Sequence, residues 1–341
     1  MKKTLSLLLS LVLLIGATFG VSVTTDAKTF TESESNDSWG TANEISIGDC
    51  VYGYCGRGDD DYFRLTVNSS QRIKLTFNHE KYNIDARWCV GIMKYDGQYT
   101  SDSEWIDVYC YENDGVITKT LAKGTYYIWV SAGCINGEDY GYYLNDLEYN
   151  ITVAPVIQTL SSFKVSTRNT TSLKLSWSKV SGVSGYQLQR KSGDSYKTLT
   201  NTTSTSYTVK DLSSGTAYTF RVRAYKTIDG KKYYSSWKSL STVTKPSTPS
   251  IKAPTTNSKH QIIAKWNKVS KCTGYQVQYS KKKDFSSVVA TKTVSGQSKT
   301  SYTGKNFTKG KTYYVRVRAY RTHNDTKYYS SWSSVKSIKC K

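Results

Sequence analysis

Residues 215–237 read GTAYTFRVRAYKTIDGKKYYSSW and residues 310–332 read GKTYYVRVRAYRTHNDTKYYSSW. Each stretch holds two strand-like runs joined by a polar turn. In Arg221, Val222, Arg223, Ala224, Tyr225 the alternation has period two, so Val222 and Ala224 share one face and the arginines the other. Asp229-Gly230 is a strong hairpin signal, because a tight turn that matches strand twist needs positive φ. Asn324-Asp325 takes that place in the second copy. A unit of this length written twice predicts tandem domains.

The rest of the composition agrees. The 341 residues include 29 Tyr and 23 Gly but only 2 Met and 4 Pro, a balance that favours strands and turns over helices. An all-β chain of two or three domains is expected. His79, His260 and His323 are too few and too scattered for a zinc cluster or a catalytic triad. Lys2 and Lys3, the apolar run Leu5 to Ile15 and small residues at Thr25 and Ala27 predict a signal peptide over 1–27. No second apolar run long enough to span a membrane follows. Export is therefore expected, with the product secreted or held non-covalently at a cell surface.

Charge divides sharply along the chain. Residues 28–150 carry 10 Lys and Arg against 20 Asp and Glu, a net −10, whereas residues 151–341 carry 35 against 5, a net +30. That asymmetry implies different partners for the two parts, set against the plainer reading that charge serves solubility. In the acidic part, Glu32, Glu34, Asn36 and Asp37 form one cluster and Asp59, Asp60 and Asp61 another. Both offer oxygen donors without sulfur or imidazole, the set a hard cation such as calcium takes. The alternative is a solvated leader and an acidic turn that never meet.

ESESNDSWGTA, then GDDDYF, LAKGTYYIWV at 121–130 and YNITV at 149–153, together resemble the bacterial pre-peptidase C-terminal domain, whose relatives include collagen-binding domains of clostridial collagenases. The resemblance covers about residues 30–154. It implies a jelly-roll-like β-sandwich over 28–155, with calcium held by Glu32, Glu34, Asn36 and Asp37 of the leader and Asp59 and Asp61 of the turn. Tyr140, Tyr142 and Tyr143 form a possible ligand platform; the alternative is that they cover a core edge.

From about residue 156 the repeats take over. Trp177 matches Trp266 and Gly185-Tyr186-Gln187 matches Gly274-Tyr275-Gln276 at an offset of 89, while Tyr218 matches Tyr313 and Trp237 matches Trp332 at 95. A six-residue insertion, placed within SKKKDFSSVVATKTV, reconciles the offsets. The tryptophans, the tyrosines, and Leu212, Gly215 and Tyr218 with their counterparts Phe307, Gly310 and Tyr313 resemble fibronectin type III domains. That resemblance implies two immunoglobulin-like sandwiches, over 156–246 and 247–341, joined by a linker in which Pro246 and Pro249 limit swivelling. If the hairpin strands pair, Trp237 lies over Arg221 or Arg223 and Trp332 over Arg316 or Arg318, each stack worth about 0.5–2 kcal/mol. The alternative is an aromatic and basic strip that stacks on sugar rings or bases.

Seven cysteines is an odd count for an exported protein. A hairpin centred near Tyr99 would bring Cys89 opposite Cys110, the first candidate for a bridge. Cys272 and Cys340 are expected at opposite ends of the last sandwich, too far apart to join.

No nucleophile with a partner base, metal-hydrolase spacing or phosphate-binding loop is present. The reading is a non-enzymatic adhesion protein. Its acidic domain contacts an extracellular polysaccharide, cell-wall polymer or matrix protein, and its basic tandem holds an anionic surface. One rival is an exported hydrolase, or an accessory subunit of an extracellular peptidase or glycosidase, using a carboxylate pair among Glu80, Asp85, Asp102, Glu104 and Asp107. Another is nucleic-acid capture by the basic tandem, against which an exported address argues.

Overall fold

The computed structural model describes residues 28–341 except 57–58, 82–86, 96–102, 111–113, 133, 136–137, 140–146 and 229, with backbone alone at 134, 135, 138 and 139. The signal-peptide reading, the Tyr140, Tyr142, Tyr143 platform, Asp85, Asp102 and Asp229 lie outside the described residues. What is described is all-β, as the composition predicts. No helix among these residues is long and apolar enough to cross a membrane. The chain divides into two compact units between Pro155 and Val156.

The first unit contains two five-stranded sheets. One runs in the order Thr29–Thr31, Cys50–Cys55, Leu147–Pro155, Gln71–His79, Gly115–Leu121. The other runs Asn43–Ile45, Asp60–Val67, Gly124–Ala132, Arg87–Lys94, Glu104–Tyr109. Period-two alternation sends Val51, Phe63, Leu65, Phe77, Trp88, Ile128 and Ile151 into one shared core. The same alternation sends Asp61, Tyr149 and Cys55 inward at the strand ends, where all three are buried.

The expected bridge between Cys89 and Cys110 is not formed. The hairpin exists, but its register sets Cys89 opposite Asp107 and Trp88 opposite Val108. Cys110, two positions beyond Val108, belongs to the core, while the Cys89 thiol donates outward to Asp107 Oδ1 at 3.4 Å. Because side chains alternate faces, this register puts the two sulfurs on opposite sides of the sheet.

The second unit holds the two repeats. In the first, Phe163–Arg168, Leu173–Trp177 and Ser206–Val209 form one sheet. The other is built on the long strand Ala217–Ile228, flanked by Gly185–Ser192 and Ser195–Thr202 on one side. On its other side Ala217–Ile228 pairs with Lys231–Tyr234 and then with Lys238–Val243, so its partner is a single edge broken at residues 235–237. The second repeat does the same with Thr312–His323, Thr326–Tyr329 and Lys336–Lys339. Its turn has Asn324 at φ 45° and Asp325 at φ 57°, the left-handed pair a tight hairpin requires.

The six-residue difference between repeats is split rather than confined to SKKKDFSSVVATKTV. Tyr186 pairs with Thr202 and Tyr275 with Val294, so three extra residues lie within that hairpin. The next strands start at Ser206 and Ser301, so the other three fall in the loop after it. Each addition sits in a connection, where it costs little.

The repeats also touch beyond their linker. Arg168 lies 4.0 Å over the Tyr328 ring and donates to Val243 O and to Thr242 Oγ1 at 2.8 Å. Lys271 Nζ donates to Thr216 Oγ1 at 3.1 Å, and Ser241 Oγ is 3.1 Å from His323 Nε2. Gly215, at φ 61°, is pressed so close that a Cβ would stand 2.7 Å from Lys271 O. Side-chain contacts, not the two prolines alone, fix the joint.

Candidate functional site

A buried polar cluster lies where strands of the first unit's core end. Sheet alternation aims Asp61 inward from one sheet and Tyr149 inward from the other. The leader closes over them: Glu32 N donates to Tyr52 O at 2.9 Å and Tyr62 N donates to Asn36 O at 3.1 Å, tying the leader to both sheets. Ser35, at φ 84°, turns the chain between exposed Glu34 and buried Asn36. A left-handed serine is costly and persists only where its surroundings demand it. Glu32 Oε1 accepts from Tyr54 N at 2.5 Å, and Glu32 Oε2 accepts from Asn36 Nδ2 at 3.2 Å.

Proton accounting at Tyr149 defines the state of this cluster. Its hydroxyl oxygen lies 2.8 Å from Glu32 Oε2 and 2.7 Å from Asp61 Oδ2. A phenol has one proton to donate, so the second short oxygen contact needs another. Asp61 is the carboxyl raised furthest toward holding it: burial first, and then the charges of Glu32 and Asp59, push it up to about 8, although the Tyr149 contact pulls the other way. Burial raises Glu32 as well.

Asn36 Oδ1 and Asp61 Oδ1 are buried and have no hydrogen-bond partner among the described residues. Buried acceptors of that kind are costly unless something satisfies them. The Cys55 sulfur and carboxylate oxygens of Asp59 and Asp61 lie within 4.8 Å of one another. Oxygen acceptors left unsatisfied beside clustered carboxylates suit a hard divalent ion, which takes six to eight oxygens. Of the six residues expected to bind metal, the structure brings Glu32, Asn36, Asp59 and Asp61 together. Glu34 and Asp37 are exposed.

Sequence reasoning missed Tyr149, Gly53 and Cys55. Tyr149 stood inside the quoted YNITV run, and its inward position in an alternating strand was the available signal. At Gly53 a Cβ would overlap the Tyr149 ring and hydroxyl and stand 2.5 Å from Glu32 Oε1. Gly53→Ala is therefore expected to push Tyr149 and Glu32 apart and cost about 1–3 kcal/mol, the range for overpacking a filled site. Chemical denaturation of the variant against the parent checks this.

An aromatic face occupies the outer side of the second sheet. Cross-strand pairing places Tyr62 beside Trp129, Trp129 beside Gly91, and Gly91 beside Trp105. Trp39 packs on Tyr62, Tyr95 and Tyr127 with ring centroids 5.1–5.3 Å apart. Trp105 is 66% exposed and Tyr95 43%, which is unusual for rings this large. Of the carboxylates considered for hydrolysis, Glu104 is 3.9 Å from Lys119 and Asp107 is 3.0 Å from Arg87. Each of the two faces a cation.

In the second unit the repeated serines explain the repeated tryptophans. Ala224 N donates to Ser235 Oγ at 3.0 Å while Ser235 N donates to Ala224 O at 2.9 Å; Ala319 and Ser330 repeat this at 3.0 and 2.9 Å. The serine replaces a strand partner where the edge breaks, and the kink carries the indole over the sheet. Trp237 then lies 4.1 Å from Arg221 and 4.3 Å from Arg223, and Trp332 lies 4.3 Å from both Arg316 and Arg318. Each guanidinium has a second ring on its far side: Tyr196, Tyr234, Phe285 and Tyr329 at 3.8, 3.5, 3.9 and 3.8 Å. Gln189, Gln187, Gln278 and Gln276 accept from the four Nε atoms at 2.8–2.9 Å. Ser213 N donates to the Tyr218 hydroxyl at 2.8 Å and Thr308 N to that of Tyr313 at 3.1 Å, the same corner in each repeat.

The family model for the fibronectin type III domain matches residues 158–237 and 244–336, about half of the chain. The chain belongs to the fibronectin type III family. Fibronectin type III domains commonly serve non-catalytic binding and adhesion. Among solved structures, a two-domain fibronectin type III segment of chicken tenascin is 21% identical, covers 53% of this chain and 99% of its own, and has a TM-score of 0.35. The pre-peptidase C-terminal domain of a collagenase from Bacillus anthracis is 22% identical over 33% of this chain and 93% of its own, at 0.24. The chicken interferon gamma receptor alpha chain is 14% identical over 54% and 99%, at 0.29. No curated protein matches the chain.

Proposed function

We propose that this is an exported, non-catalytic adhesion protein in which a calcium-stiffened acidic sandwich contacts an extracellular polymer and a basic fibronectin type III tandem holds an anionic surface. The observation that carries the reading is the charge of the tandem: 35 Lys and Arg against 5 acids over 151–341. Its four ladder arginines keep their charge but are occupied between rings, so direct contact with an anionic surface falls to the exposed lysines of the tandem. The resemblance of the first unit to pre-peptidase C-terminal domains supports a polymer-binding role for it. Glu32, Asn36, Asp59 and Asp61 would hold the ion, and its charge would lock the leader across both sheets. The aromatic face with Trp105 at its edge is the surface that offers apolar ring contact to a polysaccharide, wall polymer or matrix protein.

Binding to isolated cell walls tests both halves separately. Retention through the tandem is expected to fall at least tenfold between low and high salt, as screening of exposed charge requires. Trp105→Ala is expected to remove the retention that survives high salt while leaving the salt-sensitive part. Binding indifferent to salt sinks the electrostatic half, and a Trp105→Ala protein that still binds at high salt sinks the aromatic half.

A further inference from the structure

The residue that the calcium reading does not use is Cys55. Its side chain is fully buried on the core face of Cys50–Cys55, and its S–H donates to Asp59 O at 3.0 Å. Its sulfur and carboxylate oxygens of Asp59 and Asp61 all lie within 4.8 Å of one another. Asp61 is fully buried as well, and its Oδ1 has no partner among the described residues. A sulfur and two carboxylates make a different donor set from the all-oxygen set of Glu32, Asn36, Asp59 and Asp61. Calcium gains little from a thiol, whereas zinc and cadmium bind thiolate sulfur at about 2.3–2.5 Å and accept carboxylates as co-ligands.

We propose that Cys55, Asp59 and Asp61 form a thiolate-containing metal site for a zinc-class ion, which shares Asp59 and Asp61 with the hard-ion site and therefore competes with it. The inference rests on the calcium reading only for the competition. On binding, the sulfur–metal bond forms as the Cys55 thiol and the Asp61 carboxyl give their protons to solvent, and the three donors contract by about 1 Å to tetrahedral spacing. Glu32 and Asn36 are left out of this set. A zinc-class ion thus fills the site without fastening the leader, and soft metal acts as an antagonist of calcium stiffening.

Cadmium titration of the full chain under a non-thiol reductant tests the proposal, read by the ultraviolet thiolate-to-cadmium absorption. A band saturating at one ion per chain is expected in the parent. It should be lost in Cys55→Ser and shifted to at least tenfold higher cadmium in Asp59→Asn. Excess calcium should raise the cadmium half-saturation at least tenfold in the parent. Cys55→Ser should keep its calcium-dependent thermal shift, which establishes that the variant is folded. A parent without the band, or a band unchanged in Cys55→Ser, overturns the site. A band indifferent to calcium overturns the sharing of Asp59 and Asp61. Loss of the calcium shift in the parent with the cadmium band intact would remove the calcium reading and leave this site standing.

Discussion

At pH 7.5, calcium in hundredfold excess over its Kd is expected to raise the unfolding midpoint of the acidic unit by on the order of 10 °C, and Asp61→Asn to abolish that rise. Mass action at that excess contributes about 2.7 kcal/mol, and a domain of this size moves several degrees per kcal/mol. The sign of the pH dependence follows from Asp61. Its folded carboxyl is pushed up to about 8 from an ordinary value of 3.8, so between those limits the native state holds a proton that the unfolded chain has lost. Without metal, stability should fall as pH rises from about 4 through 8. Calcium binding should release about one proton per ion below pH 8, and its apparent affinity should climb as pH approaches 8. Asp61→Asn carries no ionisable group, so the metal-free variant should be more stable than the parent at pH 7.5 and lose much of the slope. Differential scanning calorimetry across pH, with calcium and with chelator, reads all of this. A parent whose midpoint ignores calcium at every pH would eliminate the hard-ion site.

Removal of a ladder tryptophan is the second large effect. Trp332→Ala deletes two guanidinium stacks at about 0.5–2 kcal/mol each and should destabilise its repeat by about 1–4 kcal/mol, with Trp237→Ala similar in the first repeat. Arg318→Lys should reproduce part of the loss, because an ammonium cannot stack as a plane between Trp332 and Tyr329 while donating Nε–H to Gln276. Urea unfolding measures the stability, and the wall-binding assay measures the alternative. If the indoles instead serve a ligand, Trp332→Ala will lose binding at unchanged stability. The geometry favours the structural role, since both faces of each stacked guanidinium are already covered.

The repeats were legible because their determinants are local. Alternation in RVRAY, the turn residues and the serine-tryptophan run each act over a few positions, and the pairing they predict is the pairing that forms. Cys89 shows where this stops: the existence of its hairpin followed from two apolar runs, but the register did not, and one register choice moved the two sulfurs to opposite faces. The joint between repeats was also hidden, because Arg168 and Tyr328 lie 160 positions apart and neither has an unusual neighbour in sequence.

The acidic cluster divides along the same line. The chain by itself set out oxygen donors in two groups, at Glu32–Asp37 and Asp59–Asp61, because carboxylate chemistry is a property of residue type. Which of them converge was decided by folding. The strand that carries Asp61, the strand that carries Tyr149 and the leader that carries Glu32 come from three distant stretches, and only the packing of two sheets sets their side chains within hydrogen-bond distance. Burial there, rather than composition, raises Asp61, leaves two acceptors unsatisfied and draws in Cys55, since a carboxylate's proton affinity depends on the solvent it has lost and the charges it has gained.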